Sequence, residues 1–139
     1  MTEASPSLDD RWALILGASS GFGAATARAL AEDGMNIFGV HLDPRSTRDR
    51  AEAVIADVES AGRRAVFFNT NAADARRRRR VLARIIEILA DDPAGSLHLM
   101  VHSLAFGSLK PYIGEAPGDA ITREQMGMTL PVRAHSMGK

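Results

Sequence analysis

Apolar residues along this chain fall into short, nearly continuous runs, separated by segments with a helical period. Trp12 to Leu16 is apolar throughout and ends at a glycine, the pattern of a strand buried on both faces. Asn36 to Leu42 and Ala65 to Phe68 repeat that pattern. In Leu97 to His102 the two histidines, His98 and His102, alternate with Leu97, Leu99 and Val101, which predicts one strand face carrying both. Between the runs, Ala24 to Glu32 is rich in Ala, Leu and Arg, all good helix formers, and Gly34 sits where a left-handed C-terminal residue belongs. Thr47 to Ala61 carries Val54, Ile55 and Val58 on one helical face and is closed by Gly62. Asp74 is placed to cap a third helix, with Val81, Leu82, Ile85, Ile86 and Leu89 on its inner face and Pro93 beyond its end. A loop containing Gly107, Pro111, Gly114, Pro117 and Gly118 follows the last strand. Thr122 can cap a final helix, which Pro131 limits to about two turns.

Strands that are apolar on both faces and alternate with helices predict an α/β fold. Its doubly wound parallel sheet is covered on both sides and joined by right-handed crossovers, in strand order 3-2-1-4. Residues 1–10 are polar and are expected to form a disordered tail. Residues 11–139 are expected to form a single domain, with no internal repeat and no linker.

The strongest chemical signal is Gly17-Ala18-Ser19-Ser20-Gly21-Phe22-Gly23, which leaves a predicted strand and opens a predicted helix. Gly17 permits the tight turn, Gly21 lets the backbone approach a pyrophosphate, and Gly23 lets helix and sheet pack closely. Free N–H groups and the helix dipole favour phosphates there, and Ser19 and Ser20 add hydroxyl donors. This is the first unit of a Rossmann-type fold, and the expected ligand is a nicotinamide dinucleotide. The alternative is a glycine-rich loop with no ligand.

Composition narrows the function classes. At 139 residues and 45% hydrophobic, the chain is long and apolar enough for one globular core. Its formal net charge of +0 argues against bulk electrostatic binding to nucleic acid. The absence of cysteine excludes disulfides, thiolate catalysis and cysteine zinc sites. No run approaches the ~20 apolar residues of a membrane span, and the first ten residues lack a signal-peptide pattern. A soluble cytoplasmic protein is expected, with no nucleic-acid or membrane partner. Arg76 to Arg80 step about 100° each around a helix and form no continuous stripe, so a solvated helix start is expected there. His98 and His102 lack further ligands at useful spacing, so no metal site is expected.

The G-x-x-x-G-x-G spacing resembles the short-chain dehydrogenase/reductase family, whose fingerprint is T-G-x-x-x-G-x-G; Leu16 replaces the threonine. The resemblance implies that Gly17, Ser19, Ser20, Gly21, Phe22 and Gly23 hold the cofactor. Asp43, after the second strand, is the candidate for the ribose hydroxyls, although the family's usual acid aligns nearer His41. Arg45 and Arg48 are positioned to pair with a 2′-phosphate or simply to lie in solvent, which leans the choice between NAD(H) and NADP(H) slightly to NADP(H). Asn71 stands where the family carries an Asp against the adenine, followed by Ala72; its alternative role is a turn residue. Val101-His102-Ser103-Leu104-Ala105-Phe106 resembles the V-H-S-I-A-F-A stretch of enoyl-acyl-carrier-protein reductases, with fainter echoes at 121–124 and 133–136. That likeness implies Ser103, Leu104 and Ala105 beside the nicotinamide-side ribose.

In this family a Ser and a Tyr-x-x-x-Lys pair perform hydride transfer to a carbonyl or enoyl group on a small or acyl-thioester substrate. Here Tyr112 is the only tyrosine and residue 116 is Ala116, so no catalytic residue is assigned. The resemblance therefore implies the cofactor-binding half of an oxidoreductase, incomplete at the C-terminus and inactive alone. A further sheet portion is expected from a lost segment, a second polypeptide or a symmetry mate, because an apolar edge strand invites aggregation. Family members are usually oligomers. The alternative is a non-catalytic dinucleotide-binding or sensor protein.

Overall fold

A computed structural model describes residues 7–104. The expected loop and final helix, with Tyr112, Thr122 and Pro131, lie outside the described residues. The chain divides into two compact units, residues 1–103 and 104–139, and only Leu104 of the second is described.

The first unit contains β1 (Trp12–Leu16), α1 (Gly21–Glu32), β2 (Asn36–His41), a 3-10 turn (Arg45–Thr47), α2 (Arg48–Ser60), β3 (Ala65–Asn69), α3 (Ala75–Ala90) and β4 (Leu97–His102). The four strands form one parallel sheet in the order β3-β2-β1-β4, as the sequence predicts. β1 and β2 are buried at every position, which is why both read as continuous apolar runs.

Successive strand residues face opposite sides of the sheet. Ala13, Ile15 and Ile37 face one side, where they join Ala24, Ala27 and Ala31 of α1, Met35, and Val54 and Val58 of α2 in one core cluster. Small alanines on α1 let that helix lie close to the strands. Trp12, Leu14, Leu16 and Phe38 face the other side, and Trp12 stacks on Phe38 with ring centroids 4.0 Å apart. The right-handed crossover from β3 to β4 carries α3 over that side. There α3 buries Ile85 and Ile88.

The turn residues behave as their chemistry requires. Gly34 and Gly62 end their helices with φ of +102° and +78°. Asp74 caps α3, accepting the Arg77 backbone N–H at 3.0 Å. Of the five arginines, Arg78 reaches back to the Ala72 carbonyl at 2.9 Å, while Arg76, Arg77, Arg79 and Arg80 are exposed.

Three expectations need correction. Residues 7–10 do not belong to a loose tail: Leu8 packs against the core, and the Asp10 N–H donates to the Gly34 carbonyl at 3.0 Å. The inner face of α3 carries Ile88, which the periodicity passed over, while Leu82 and Ile86 are exposed. In β4 the pairing with β1 shifts by one residue at His98, so the alternation that put His98 and His102 on one face is interrupted. The His98 ring instead accepts from the Arg11 guanidinium at 3.0 Å.

Candidate functional site

Because the strands are parallel, their C-terminal ends share one edge of the sheet. The order 3-2-1-4 makes the β1/β4 boundary a topological switch point, where a crevice opens between loops running in opposite directions. Gly17 to Gly23, Asp43, Asn71–Ala72 and Ser103 all follow strand ends on this edge.

The glycine turn is pinned to the sheet before it reaches α1. The N–H groups of Gly17 and Ala18 donate to the Val40 carbonyl at 2.8 and 3.1 Å. Gly21 has φ of +56° and open space where a side chain would stand. At Gly23 a Cβ would collide with the Gly17 carbonyl oxygen. Ser20 is the N-cap of α1 but makes no side-chain cap bond, so the first-turn N–H groups take no partner from it. Ser19 is buried, whereas Phe22 projects from the turn at 73% exposure.

Asp43 is the most constrained acid at this edge. Its carboxylate accepts from His41 Nδ1 at 2.8 Å and from Thr47 Oγ1 at 3.1 Å. Asn69, at the end of β3, uses both halves of its amide on the Asp43 backbone: Oδ1 accepts the Asp43 N–H at 2.9 Å, and Nδ2 donates to the Asp43 carbonyl at 3.0 Å. Burial alone would push the Asp43 carboxyl up. Hydrogen bonds from Ser19, His41 and Thr47 outweigh it and hold the group below the usual carboxylate range. The sequence reading singled out Asp43 but missed Thr47 and Asn69. It placed His41 only as the alignment position of a usual acid.

The other candidates divide. Asn71 serves as the turn residue: its Oδ1 accepts the Ala73 N–H at 3.0 Å, which leaves its NH2 group out of the turn. Ala72 is buried. Ser103 continues the sheet, its N–H donating to the Leu16 carbonyl at 2.9 Å, which registers the end of β4 against the start of the glycine turn. Arg45 and Arg48 are exposed, with no ion pair among the described residues. Leu104 is buried and belongs to the second unit, and Ala105 lies outside the described residues.

The profile of the short chain dehydrogenase family matches residues 11–117. The chain belongs to this family. Solved structures agree on the fold. The carveol dehydrogenase from Mycobacterium avium, in complex with NAD, superposes with a TM-score of 0.73 at 18% identity, covering 96% of this chain and 49% of its own. The Mycobacterium paratuberculosis short chain dehydrogenase bound to NAD gives 0.70 at 24% identity, over 96% and 50%. The Burkholderia cenocepacia enzyme, in complex with NADP, gives 0.67 at 27% identity, over 94% and 48%. A search of curated proteins returned no match. This short-chain dehydrogenase chain therefore spans about half the length of the solved structures it resembles. Among the described residues, no helix is long and apolar enough to cross a membrane.

Proposed function

We propose that this chain is the cofactor-binding half of an NAD(P)(H)-dependent oxidoreductase. The reaction is hydride transfer to or from a carbonyl or enoyl group on a small or acyl-thioester substrate. The observation that carries the proposal is the uncapped start of α1, reached through Gly17–Gly23 at the switch point of the sheet, with the clamped Asp43 beside it. These residues fit a dinucleotide: the open space at Gly21 admits a pyrophosphate to the backbone, and a fixed carboxylate can accept ribose hydroxyls.

Within that reading the protein's own work is binding and orientation. The first-turn N–H groups of α1 hold the phosphates, and Ser19 and Ser20 add donors. Asp43 orients the adenosine ribose, the Asn71 NH2 and Ala72 meet the adenine, and Ser103 lines the nicotinamide-side ribose. A bound nicotinamide supplies the hydride chemistry. On charge, Asp43 favours NAD(H), since an ionised carboxylate repels a 2′-phosphate. Arg45 and Arg48, both exposed, pull the other way, since either could pair with a 2′-phosphate.

The substrate side requires more sheet than is described. In β4, Leu97, Leu99 and Met100 are 44%, 39% and 45% exposed, so a further segment, a second chain or another copy is proposed to cover them. The test is titration of the purified 139-residue chain with NADH and NADPH, read by nicotinamide fluorescence. Saturable binding of either supports the proposal, and no binding of either overturns it. The alternative reading is a non-catalytic dinucleotide-binding or sensor protein. Cofactor oxidation with a panel of carbonyl and enoyl-thioester substrates, measured with the portion that covers β4 supplied, separates the two.

A further inference from the structure

We propose that His41 and Asn69 are positioning residues which hold Asp43 in place for the adenosine ribose and so set the choice between NAD(H) and NADP(H); this rests on the cofactor reading above. In this chain the acid does not sit at the end of β2. It stands two residues further on, in the loop after the strand, where a lone carboxylate would sample several rotamers and carry little selectivity. Both sources of that freedom are removed here.

The backbone is fixed by Asn69. In the sheet register Asn69 lies opposite His41, one position past the last apolar pair of β2 and β3. Its amide gives and takes a bond on the Asp43 main chain, at 2.9 and 3.0 Å, as a neighbouring strand would. An exposed side chain thus carries the ladder two residues beyond the strand end. The carboxylate is fixed by His41, which is itself held: it is 5% exposed, and its ring is tilted against Phe67 with centroids 6.0 Å apart. An ionised carboxylate only accepts, so His41 Nδ1 carries the hydrogen of the 2.8 Å bond. Thr47 then restrains the other carboxylate oxygen. At 5% exposure the His41 ring is shut away from a substrate. Its contribution passes through Asp43.

Dissociation constants for NADH and NADPH, measured on the full chain and on four variants, test this. The wild type is expected to prefer NADH, and Asp43→Asn should narrow the NADPH/NADH ratio by about tenfold, the size of one lost like-charge contact near the surface. His41→Leu should narrow it by roughly threefold to tenfold, since the ring volume is kept approximately but the donor is lost. His41→Asn, whose amide nitrogen can stand near Nδ1, should return the ratio towards wild type. Asn69→Ala should narrow it too. A merely structural role would weaken both nucleotides equally and lower the melting temperature without moving the ratio, and that result overturns the proposal. An unchanged ratio in His41→Leu while Asp43→Asn shifts it overturns the proposal alone. A wild type that binds neither nucleotide overturns it together with the cofactor reading.

Discussion

Gly21 and Gly23 stand two residues apart in one turn, yet substitution should damage the protein at each for a different physical reason. At Gly23 the obstacle is space. A Cβ there overlaps the Gly17 carbonyl oxygen and lies 2.7 Å from its carbon and 3.4 Å from Ala18 Cα. Restoring ordinary contact to that oxygen and its carbon requires α1 to retreat by more than about 1 Å from a turn that is hydrogen-bonded to β2. Overpacking of this kind costs about 1–3 kcal/mol, more than the ~0.5–1 kcal/mol that alanine gains over glycine in a helix. At Gly21 nothing lies within 4 Å of the added Cβ, and the obstacle is the φ of +56°. An ordinary residue pays about 1–2 kcal/mol in that region, and asparagine less. Thermal unfolding of four variants separates these causes, with each kcal/mol corresponding to roughly 3–4 °C in a domain of this size. Gly21→Asn should be milder than Gly21→Ala, whereas Gly23→Asn should be worse than Gly23→Ala. The Gly21 variants should also lose dinucleotide affinity, because the added atoms occupy the space through which a phosphate reaches the backbone. Gly23→Ala melting within about 1 °C of wild type would refute the steric argument.

Ile85 and Ile86 are neighbours on α3 with opposite burial, 3% and 66% exposed, so Ile85→Ala should cost about 2–4 kcal/mol and Ile86→Ala under about 0.5 kcal/mol in denaturant unfolding. Equal losses would show that α3 sits on another face. At the opposite end of the sheet from the glycine turn, the Trp12 Nε1–H donates to Asp92 at 3.1 Å. That bond comes first, and bonds from the Gly95 and Ala94 N–H groups and the charge of Arg64 add to it; together they outweigh burial and hold the Asp92 carboxyl below its ordinary range. A lowered folded pKa means stability that is present above the unfolded value and lost as pH falls through the folded one. Asp92→Asn should therefore be less stable than wild type near neutrality, with the gap closing in acid; a gap independent of pH would refute the assignment.

The architecture was legible because buried parallel strands write themselves as continuous apolar runs, and because Gly34, Gly62 and Asp74 sit where backbone geometry demands their chemistry. The strand order followed from the crossover rule. What periodicity lost on α3 was a matter of phase. Leu82 and Ile86 are as hydrophobic as Ile85 and Ile88, and only the placement of the helix over the Trp12–Phe38 side decides which pair is covered. At the site, the glycine turn was legible for the same reason as the strands, since its spacing is local. The Asp43 clamp was not. Its members come from the end of β2, the 3-10 turn and the end of β3, and Asn69 is 26 residues away in the chain. Asparagine after a strand reads as a turn residue until the sheet register brings it opposite His41.

The two sides of the described unit differ in what they leave unfinished, and the difference bears on how the function is divided. On the α1/α2 side Ala13, Ile15, Met35, Ile37, Val54 and Val58 are all at most 1% exposed, and the turn they support is pinned to the Val40 carbonyl. The end of the sheet that carries the glycine turn thus rests on a core built within the described unit. β4 is different: its hydrogen bonds run to β1, and Leu97, Leu99 and Met100 stay substantially open. Yet β4 is not independent of the cofactor end, since the Ser103 N–H is bonded to the Leu16 carbonyl immediately before Gly17. On the proposed function, whatever covers β4 is thereby aligned with the phosphate turn through one continuous ladder, with no flexible link between them. Dinucleotide binding should then need this unit alone, and hydride transfer should need the covering portion. The two properties should separate cleanly in experiments that supply or withhold it.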